Sequence, residues 1–371
     1  PFGLNPFSQP LLGMMRIGFF GVGGVGGWLA ARIAEAQAAQ VVLIARGAHG
    51  AALREKGLRL RVRTGGEMGP VKEEVHIQPG RLEVYANVLQ AFERGMEPLD
   101  CLVLCVKSWQ VQEAAADAVQ LLDPEGFVVT TQNGVEAPHE AAKAVGTEQV
   151  LGGVCKVLAF IAEHGVIEMQ DQPASFDFGE TFEAGGAPAT ASASARVEQF
   201  AKVISSCMGV SSAVAVPTMW AALWEKAVFM CSLGPVGALC RAPIDRLCGI
   251  PETRGLLQAA MLEVAQCAQA AGHLPEGTAP AALVEQAIAK VGESKPGVTT
   301  STLRDIITGR PSELHELTGG IRRAGRELGV PTPTHDLIFA ALLPQERRAR
   351  GEDLYELMGI PGGAPHVPPA A

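Results

Sequence analysis

The feature that most constrains the fold is a glycine-rich turn, Gly21-Val22-Gly23-Gly24-Val25-Gly26, which lies between a short apolar run and a helical stretch. The apolar run, Arg16 to Phe20, predicts a buried strand. In a strand–turn–helix unit with this spacing, the first glycine permits the tight turn, the second lets a pyrophosphate approach the backbone, and the third lets helix and strand pack closely. The helix N-terminus then faces the anion. The residues expected to contact the phosphates are Gly21, Gly23, Gly24, Val25 and Gly26.

The chain contains 43 glycines, so the motif alone is weak, and a glycine-rich turn without a ligand is the alternative. The surrounding pattern favours the ligand, because short apolar runs alternate with helical stretches from Met15 to about Leu158. This alternation predicts a parallel sheet covered on both faces, the doubly wound α/β arrangement. The predicted strands are Arg16–Phe20, Val41–Ala45, Leu102–Val106 and Phe127–Thr131, and the predicted helices are Gly24–Ala38 and Val111–Leu122.

The remainder of the first half shows a weaker pattern. Between Leu58 and Pro98 the alternation fades, although Val75-His76-Ile77 predicts an edge strand. Apolar runs recur from Val150 to about Phe182 and predict further strands. A loop rich in Gly, Ala, Pro and Ser over Glu183 to Ala195 then precedes a helix over Arg196 to Cys207.

The second half, from near Pro217 to about Arg350, is almost entirely helical in pattern. Apolar residues recur at i, i+3 and i+4 between Leu256 and Ala268, as on the buried face of a helix. We therefore expect an α/β Rossmann-type domain over residues 15–212 and an all-α domain over residues 213–350, with loose tails at 1–13 and 361–371. The other predicted helices of the second half are Ala281–Val291, Leu314–Leu328 and His335–Leu343.

Composition and charge exclude several classes of protein. Of the 371 residues, 47% are hydrophobic and 19% charged, enough to bury real cores and too apolar for bulk disorder. The formal net charge of −9, with scattered Lys and Arg, argues against nucleic acid as a partner. The eight cysteines show neither a CxxC pair nor zinc spacing, so we expect free thiols in a reducing cytoplasm and no metal site. No apolar run has the length needed to span a membrane, so no membrane partner is expected.

The charge after the second predicted strand bears on the choice of dinucleotide. About twenty residues past Gly26, a protein that binds NAD usually has Asp or Glu to bind the ribose 2′-hydroxyl. This chain instead has Arg46, in Leu43-Ile44-Ala45-Arg46-Gly47. A guanidinium suits a 2′-phosphate and gives nothing to a neutral ribose, so the sequence favours NADP. The alternative is a solvated arginine at the end of a strand.

Polar side chains follow two further predicted strands. Lys107 comes directly after the strand that ends at Val106, with Gln110 just beyond, and Asn133 follows the strand that ends at Thr131. Ligands of open α/β sheets lie outside the carboxyl ends of the strands, so these side chains are candidate cofactor contacts. Each is equally interpretable as an ordinary turn residue.

Taken in order, these segments resemble the ketopantoate reductase family, whose helical half is 6-phosphogluconate-dehydrogenase-like. The resemblance covers roughly residues 15–345, and the ordered set is specific although each piece alone is common. The first half contributes Gly21-x-Gly23-x-x-Gly26, Ala45-Arg46-Gly47, Val106-Lys107-Ser108-Trp109-Gln110 and Gln132-Asn133-Gly134. The second half contributes Leu223-Trp224-Glu225-Lys226, Ser301-Thr302-Leu303-Arg304-Asp305, Arg310-Pro311-Ser312-Glu313-Leu314 and Gly329-Val330-Pro331-Thr332-Pro333-Thr334.

The resemblance implies that NADPH reduces ketopantoate, a small 2-oxo acid, to pantoate on the route to pantothenate. It implies Lys226 as the general acid that protonates the forming alkoxide, and Glu313 as the group that binds and orients the substrate's hydroxyl end. By the same resemblance Ser301 holds the carboxylate, and Asn133 contacts both the nicotinamide end and the substrate. The residues that serve the cofactor would include Arg46 and Lys107.

Each of the three catalytic-domain residues also has a structural interpretation. Lys226 could be a surface lysine, although Glu225 is a poor partner because residues one apart do not face each other on a helix. Glu313 could merely favour a helix N-terminus, and Ser301 could be a helix cap.

The chain departs from the family at two positions that follow Lys226 on the same predicted helix. The family has asparagines four and eight residues after its lysine, where they help to bind the substrate; here these places hold Met230 and Gly234. Methionine is a weak hydrogen-bond acceptor, and a site that loses a polar partner loses discrimination. A 2-oxo acid with a more apolar tail would suit Met230 better than ketopantoate.

Three functions therefore stay open. The first is a ketopantoate reductase, and the second is a D-2-hydroxyacid dehydrogenase of the same family that acts on a more apolar 2-oxo acid. The third is a non-catalytic sensor that binds NADP, against which Lys226 and Glu313 both argue. The oligomeric state is not specified by the sequence, although an apolar helical surface would allow a homodimer.

Overall fold

The computed structural model describes residues 14–65, 69–191, 194–207, 218–274, 277–294 and 296–352. The chain divides into two compact units, residues 1–226 and 227–371. The expected tails, 1–13 and 361–371, and the expected domain boundary between residues 212 and 213 lie outside the described residues.

The first unit is built on a seven-stranded sheet, as the alternating pattern predicts. Its strands are β1 (Arg16–Phe20), β2 (Gln40–Ile44), β5 (Glu83–Tyr85), β6 (Leu99–Leu104), β7 (Leu122–Thr130), β8 (Val150–Lys156) and β11 (Ser175–Glu180). Four further strands form a second sheet: β3 (Leu58–Arg63), β4 (Val71–Ile77), β9 (Ala159–Glu163) and β10 (Val166–Gln170). The order in the large sheet is β11-β8-β7-β6-β1-β2-β5. Only β11 pairs antiparallel to its neighbour, so the rest of this sheet is parallel.

Helices connect these strands. They are α1 (Gly24–Ala36), α2 (Gly47–Lys56), α3 (Val88–Glu93), α4 (Val111–Ala118), α5 (Ala137–Val145) and α6 (Ala195–Ser205), followed by α7 (Met219–Cys240), which begins in the first unit and ends in the second. The central strands are apolar along their whole length because both faces of the sheet are covered. Phe176, Phe178 and Phe200 pack together in this core, with ring centroids 4.7 to 6.1 Å apart.

The second sheet, of order β4-β3-β10-β9, was only partly expected from the sequence. Val75 to Ile77 does belong to an edge strand, β4. Strand β3 was not predicted, although its burial alternates strictly: Leu58, Leu60 and Val62 are buried between partly exposed arginines. This sheet packs against α1, since a side chain at Gly27 would meet Ile167 of β10 at 2.4 Å. The helix behind the glycine-rich turn is therefore supported from two sides.

The second unit is helical, as expected. It contains the end of α7 and then α8 (Ile244–Gly249), α9 (Pro251–Ala270), α10 (Pro280–Gly292), α11 (Ser301–Ile307), α12 (Thr318–Leu328) and α13 (Pro333–Ala349). The apolar stripe of α9 is its buried face, where Leu257, Met261 and Val264 are fully buried.

The predicted helix Leu314–Leu328 was wrong at its beginning, since α12 starts only at Thr318. The N–H of Gly319 bonds to the carbonyl oxygen of Leu314, five residues back, which interrupts the four-residue repeat of an α-helix. The segment that carries Glu313 is consequently a turn and not the first turn of a helix.

A buried pair of side chains joins α9 to α13. Glu263 accepts hydrogen bonds from the backbone N–H groups of Thr334 (2.6 Å) and His335 (3.0 Å), and from Nδ1 of His335 at 2.6 Å. Burial alone would raise the pKa of Glu263, but these hydrogen bonds outweigh burial and lower it. The carboxylate thus caps the first turn of α13, whose N–H groups have no partner within the helix.

Helix α7 is long and apolar enough to span a membrane by length and composition, contrary to the expectation that no apolar run reaches that length. In its most apolar window, however, 67% of the residues are buried inside the protein. Burial of this kind is typical of the core helix of a soluble protein, so the helix is weak evidence for a membrane span.

Candidate functional site

The carboxyl ends of four parallel strands form one row across the large sheet. Phe20 of β1 pairs with Ile44 of β2 on one side and with Leu104 of β6 on the other, and Leu104 pairs with Thr130 of β7. The chain order reverses between β1 and β6, which is the switch point where open α/β sheets bind ligands. The residues that follow these strand ends include the glycine-rich turn, Arg46, Lys107 and Asn133.

The glycine-rich turn has the conformation that its sequence predicts. Gly21 has a φ of 92°, a left-handed value that favours glycine. A Cβ at Gly26 would lie 2.3 Å from the carbonyl oxygen of Gly21, so only glycine lets α1 approach β1 this closely. Gly23 differs, because a Cβ there would meet nothing within 4 Å. The open space at Gly23 fits a dinucleotide phosphate that approaches the N-terminus of α1.

Gly24 is constrained by a contact that the motif does not include. A Cβ at this position would lie 2.1 Å from the carbonyl oxygen of Ala159 on β9. Val25, the next residue, is partly buried and packs against the core of the unit. The second sheet therefore touches the beginning of α1, where the phosphate is expected.

Arg46 follows β2 and is the N-cap residue of α2. Its side chain is exposed and forms no hydrogen bond or ion pair with the part of the chain that the structure describes. The backbone just before it is held by the N–H of Ala45, which donates to the carbonyl oxygen of Tyr85 at 2.9 Å. A guanidinium at this point, above the N-terminus of a helix, is placed to meet an anion.

Lys107 and Gln110 lie in a short 3₁₀ turn after β6, where the N–H of Gln110 donates to the carbonyl oxygen of Lys107 at 2.9 Å. The ammonium of Lys107 lies 5.7 Å from the ring centroid of Trp109, within the range of a cation–π contact. This turn holds both predicted cofactor contacts at the switch point.

Asn133 is positioned through its neighbour Gln132. The side-chain amide of Gln132 donates to the carbonyl oxygens of Leu104 (2.8 Å) and Val106 (3.0 Å), which ties the end of β7 to the end of β6. Gln132 is buried by these contacts, whereas Asn133 is only half-buried. The amide of Asn133 is thus carried by a rigid turn at the edge of the sheet.

Lys226 is the last residue of the first unit, and its half-buried side chain points towards the sheet. The ammonium donates a hydrogen bond of 2.8 Å to the carbonyl oxygen of Cys155 on β8. Cys155 lies four residues beyond Leu151, which pairs with Val129 of β7. The ammonium is therefore held past the row of strand ends, on the same edge of the sheet as the glycine-rich turn. No sequence pattern pointed to Cys155 as its acceptor.

The cysteines nearest to this edge serve packing. Cys105 lies directly after β6, and burial raises the pKa of its thiol to about 12. Burial also raises the pKa of Cys155, against the opposing effect of the Lys226 charge. Both thiols therefore stay protonated at neutral pH, which makes them poor nucleophiles.

Ser301, a predicted substrate contact, lies at the beginning of α11 between Thr300 and Thr302. Thr300 caps α11, because its side chain accepts a hydrogen bond from the N–H of Leu303 at 3.2 Å. The capping role considered for Ser301 was thus wrong, and the Ser301 hydroxyl is not needed for it. Thr302 is buried, and its hydroxyl oxygen would lie 3.0 Å from a Cβ at Gly234.

The side chain of Thr302 restricts the space beside Gly234. A side chain on Gly234 would push against the Thr302 hydroxyl, so an asparagine there would require the neighbour to move. Met230, one turn earlier on α7, is half-buried. Neither residue has the side-chain amide that an asparagine would carry at these two positions.

Glu313 is buried, with 7% of its surface exposed, and lies in the turn before α12. The N–H of Leu317 donates to the Glu313 carbonyl oxygen at 2.9 Å. Since α12 begins at Thr318, Glu313 lies five residues before the helix and is not one of its first-turn residues.

Two titratable residues follow Glu313 in the same turn. Burial raises the pKa of Glu316 to about 7, with a further contribution from the charge of Glu313. Burial and the nearby charge of Arg350 lower the pKa of His315. The turn after Glu313 therefore holds a carboxyl group that titrates near neutral pH.

The doubly wound sheet, the glycine-rich turn at its switch point and the helical second unit define a Rossmann-type oxidoreductase. Residues 17–182 match the family Ketopantoate reductase PanE/ApbA, and residues 218–346 match Ketopantoate reductase PanE/ApbA C terminal. Since these matches span more than half of the chain, this protein belongs to the ketopantoate reductase family, enzymes that act on a 2-oxo acid with a nicotinamide cofactor.

Individual relatives agree with the family. A 2-dehydropantoate 2-reductase of Mesorhizobium japonicum is 28% identical over 358 residues, which cover 88% of this chain and 96% of that protein. The structure of a PanE/ApbA family ketopantoate reductase from Ralstonia eutropha superposes with a TM-score of 0.71 at 24% identity, covering 91% of this chain and all of the other.

A ternary structure of D-mandelate dehydrogenase with NADH and anilino(oxo)acetate superposes with a TM-score of 0.73 at 17% identity. It covers 91% of this chain and the whole of that chain. At these identities the two structures show a shared fold.

Proposed function

We propose that this protein is an NADPH-dependent 2-oxo acid reductase, with 2-dehydropantoate as the leading substrate and pantoate as the product, a step of pantothenate biosynthesis. The observation that carries the proposal is the position of the Lys226 ammonium. It is anchored to β8 on the same edge of the sheet as the glycine-rich turn. One edge of one sheet then presents both a cradle for a dinucleotide and a proton donor.

The residues account for the chemistry in a simple way. A bound nicotinamide supplies a hydride, and a ketone carbon that accepts hydride leaves negative charge on its oxygen. An ammonium within hydrogen-bond reach stabilises that charge and can donate the proton. Half-burial of Lys226 makes its charge act more strongly than it would in water. The carbonyl of Cys155 orients the ammonium but takes none of its charge.

The substrate contacts are proposed from the family resemblance together with the local structure. Glu313 would accept a hydrogen bond from the substrate's hydroxyl end, and its burial excludes competing water. Ser301, freed from capping by Thr300, would hold the carboxylate. Asn133, on its rigid turn, would contact both the nicotinamide end and the substrate.

NADP in place of NAD is proposed from Arg46. The exposed guanidinium is free to pair with a 2′-phosphate, and the N-terminus of α2 adds a favourable dipole. Lys107 and Gln110 would complete the cofactor contacts from the end of β6.

A second candidate substrate is favoured by the lining at Met230 and Gly234. With methionine at 230 and glycine at 234, these two positions provide no amide groups that could bind a polar tail, and a Cβ at Gly234 would lie 3.0 Å from the Thr302 hydroxyl oxygen. A D-2-hydroxyacid dehydrogenase acting on an apolar 2-oxo acid would suit this lining. The D-mandelate dehydrogenase fold neighbour is a dehydrogenase, which agrees with this alternative.

The deciding experiment follows NADPH absorbance with purified protein and three substrates: ketopantoate, 2-oxoisovalerate and phenylpyruvate. The Lys226→Ala variant is the test, and Lys202→Ala, a change of an exposed lysine on α6, is the matched control. We expect ketopantoate to be reduced fastest, with turnover lost in Lys226→Ala and kept in Lys202→Ala. Preference for the apolar acids would establish the second candidate. NADPH binding without turnover of any 2-oxo acid would leave a non-catalytic sensor.

A further inference from the structure

The turn that carries Glu313 is held by two residues at the end of α13. Ser312, which is fully buried, donates its backbone N–H to both carboxylate oxygens of Glu346 at 3.0 and 3.2 Å. Its hydroxyl donates to the same carboxylate at 2.6 Å. Arg350 completes the group, since its Nη2 donates to the Ser312 carbonyl oxygen at 3.0 Å. All three polar groups of Ser312 are thus bound by one pair of residues.

Only 1% of the surface of Glu346 is exposed. Removing a carboxylate from water is unfavourable unless the group is paired or hydrogen-bonded. Arg350 offsets this cost by donating Nε to the Glu346 carboxylate at 2.7 Å. An apolar residue at position 346 would fill the same space without any such compensation. The burial of a charge therefore indicates a requirement for orientation that apolar packing does not meet.

The oriented group is the peptide that leads into Glu313. The Ser312 carbonyl belongs to the peptide plane that joins Ser312 to Glu313, so a hydrogen bond to that oxygen fixes the orientation of the Glu313 N–H and Cα. The N–H on the other side of Ser312 is fixed by Glu346. The peptide after Glu313 is held as well, because the N–H of Leu317 donates to the Glu313 carbonyl oxygen at 2.9 Å, so the direction of the Glu313 Cα–Cβ bond is set by hydrogen bonds on both sides.

We propose that Glu346 and Arg350 are positioning residues that hold Glu313 in its substrate-binding orientation. This proposal rests on the proposed function, in which Glu313 binds the hydroxyl end of the substrate. The pair touches neither substrate nor cofactor in this account, and acts only through the peptide of Ser312. Its effect should therefore disappear when the Glu313 carboxylate is absent.

The test is a double-mutant cycle between Arg350→Lys and Glu313→Gln. Lysine keeps the positive charge beside Glu346, so we expect the variant to fold. Its single nitrogen cannot reproduce the two-nitrogen geometry of Arg350, which contacts both Glu346 and Ser312. Arg350→Lys is expected to lower kcat/KM for ketopantoate about tenfold, mainly through KM, when Glu313 is present, and less than about twofold in the Glu313→Gln background. With 2-oxoisovalerate, which lacks the hydroxyl group, Arg350→Lys should change kcat/KM less than about twofold in either background.

Matched controls separate positioning from stability. Arg347→Lys, which alters an exposed arginine one turn earlier, should leave both substrates unaffected. Ser312→Ala removes only the hydroxyl hydrogen bond to Glu346, so it provides a milder change at the other end of the same contact. The NADPH dissociation constant and the thermal midpoint of each variant establish that cofactor binding and folding are intact.

The outcomes are distinguishable. Equal losses from Arg350→Lys in both backgrounds, or equal losses for both substrates, would overturn the positioning role while leaving the proposed function in place. If Glu313→Gln alone leaves kcat/KM for ketopantoate unchanged, the substrate role of Glu313 fails, and the positioning proposal fails with it.

Discussion

The ammonium nitrogen of Lys226 lies 2.8 Å from the carbonyl oxygen of Cys155, so a helix side chain is fixed to the carboxyl end of a strand of the dinucleotide-binding sheet. A neutral acceptor orients the ammonium and leaves its charge intact. A carboxylate in the same place would pair with the ammonium and weaken its pull on a forming alkoxide.

Replacing Lys226 should affect the chemical step far more than cofactor binding. Lys226→Met keeps the apolar stem without the ammonium, and we expect kcat to fall by about 10²- to 10⁴-fold. Lys226→Arg keeps a charge but is a poor proton donor, because a guanidinium stays protonated in proteins, so we expect this variant to restore little activity. Steady-state kinetics with a fluorescence titration of NADPH measures both quantities. A tenfold weaker NADPH affinity in either variant would contradict this assignment, because the amine would then belong to the cofactor site.

Replacing Arg46 should change the choice between dinucleotides. Arg46→Gln removes the positive charge proposed to bind a 2′-phosphate at the N-cap of α2, so the NADPH dissociation constant should rise about tenfold or more, in line with the loss of one charge-assisted pair. The NADH dissociation constant should change less than about twofold, because its ribose carries no phosphate. Arg94→Gln, at an exposed arginine after α3, is the control. Equal losses for both dinucleotides would show that Arg46 supports the fold and not the phosphate.

Two glycines of the same turn should respond oppositely to alanine. At Gly26 the added Cβ would lie 2.3 Å from the Gly21 carbonyl oxygen, so Gly26→Ala should lower the free energy of unfolding by about 1–3 kcal/mol. At Gly23 the Cβ meets nothing within 4 Å and φ is −81°, so Gly23→Ala should leave stability within about 0.5 kcal/mol. The Cβ of Gly23→Ala would instead occupy the space proposed for phosphate and weaken NADPH binding. Urea unfolding and NADPH titration of both variants test the contrast; a stable Gly26→Ala protein would refute the close packing.

The stability of the second unit should depend on the ionisation of Glu316. Its pKa in the folded protein is about 7 against an ordinary 4.5, so the folded state binds the proton more tightly than the unfolded chain. Stability from this group is therefore complete below about pH 4.5 and is lost as the pH rises through about 7. Glutamine at position 316 cannot ionise, so Glu316→Gln should keep the free energy of unfolding that the wild type loses at high pH. At pH 8 we expect the variant to be more stable by on the order of 1 kcal/mol, allowing for solvent around this partly exposed side chain.

Urea unfolding of the wild type and Glu316→Gln at pH 4.5 and pH 8 checks this dependence. The two proteins should agree at the lower pH and separate at the higher one. Glu327→Gln, at an exposed residue of α12, should track the wild type at both. A variant that is less stable than the wild type at pH 8 would show that the charged carboxylate is favoured in the fold.

The local sequence was sufficient to predict many of the strands and helices of the first unit. The strand Arg16–Phe20 was predicted at the bounds observed, and the helix expected over Gly24–Ala38 begins at Gly24 and ends at Ala36. Continuous apolar runs and a glycine turn encode strand and helix without reference to distant residues. The family was also recognisable from ordered motifs. The residues assigned to the cofactor and the substrate stay predictions.

Tertiary structure decided what local pattern could not. A Cβ at Gly24 would collide with the backbone of Ala159, and the turn before Glu313 is held by Glu346 through Ser312. In both cases the partner is far away in the chain. Likewise the helix expected from Leu314 begins only at Thr318, because a five-residue hydrogen bond within the turn replaces the helical repeat. Periodicity reports which face of an element is buried, but it carries no information about which distant atom that face meets. The sequence by itself therefore determined the fold class and the family, while the packing of distant segments determined which atoms hold Lys226, Gly24 and the turn of Glu313 in place.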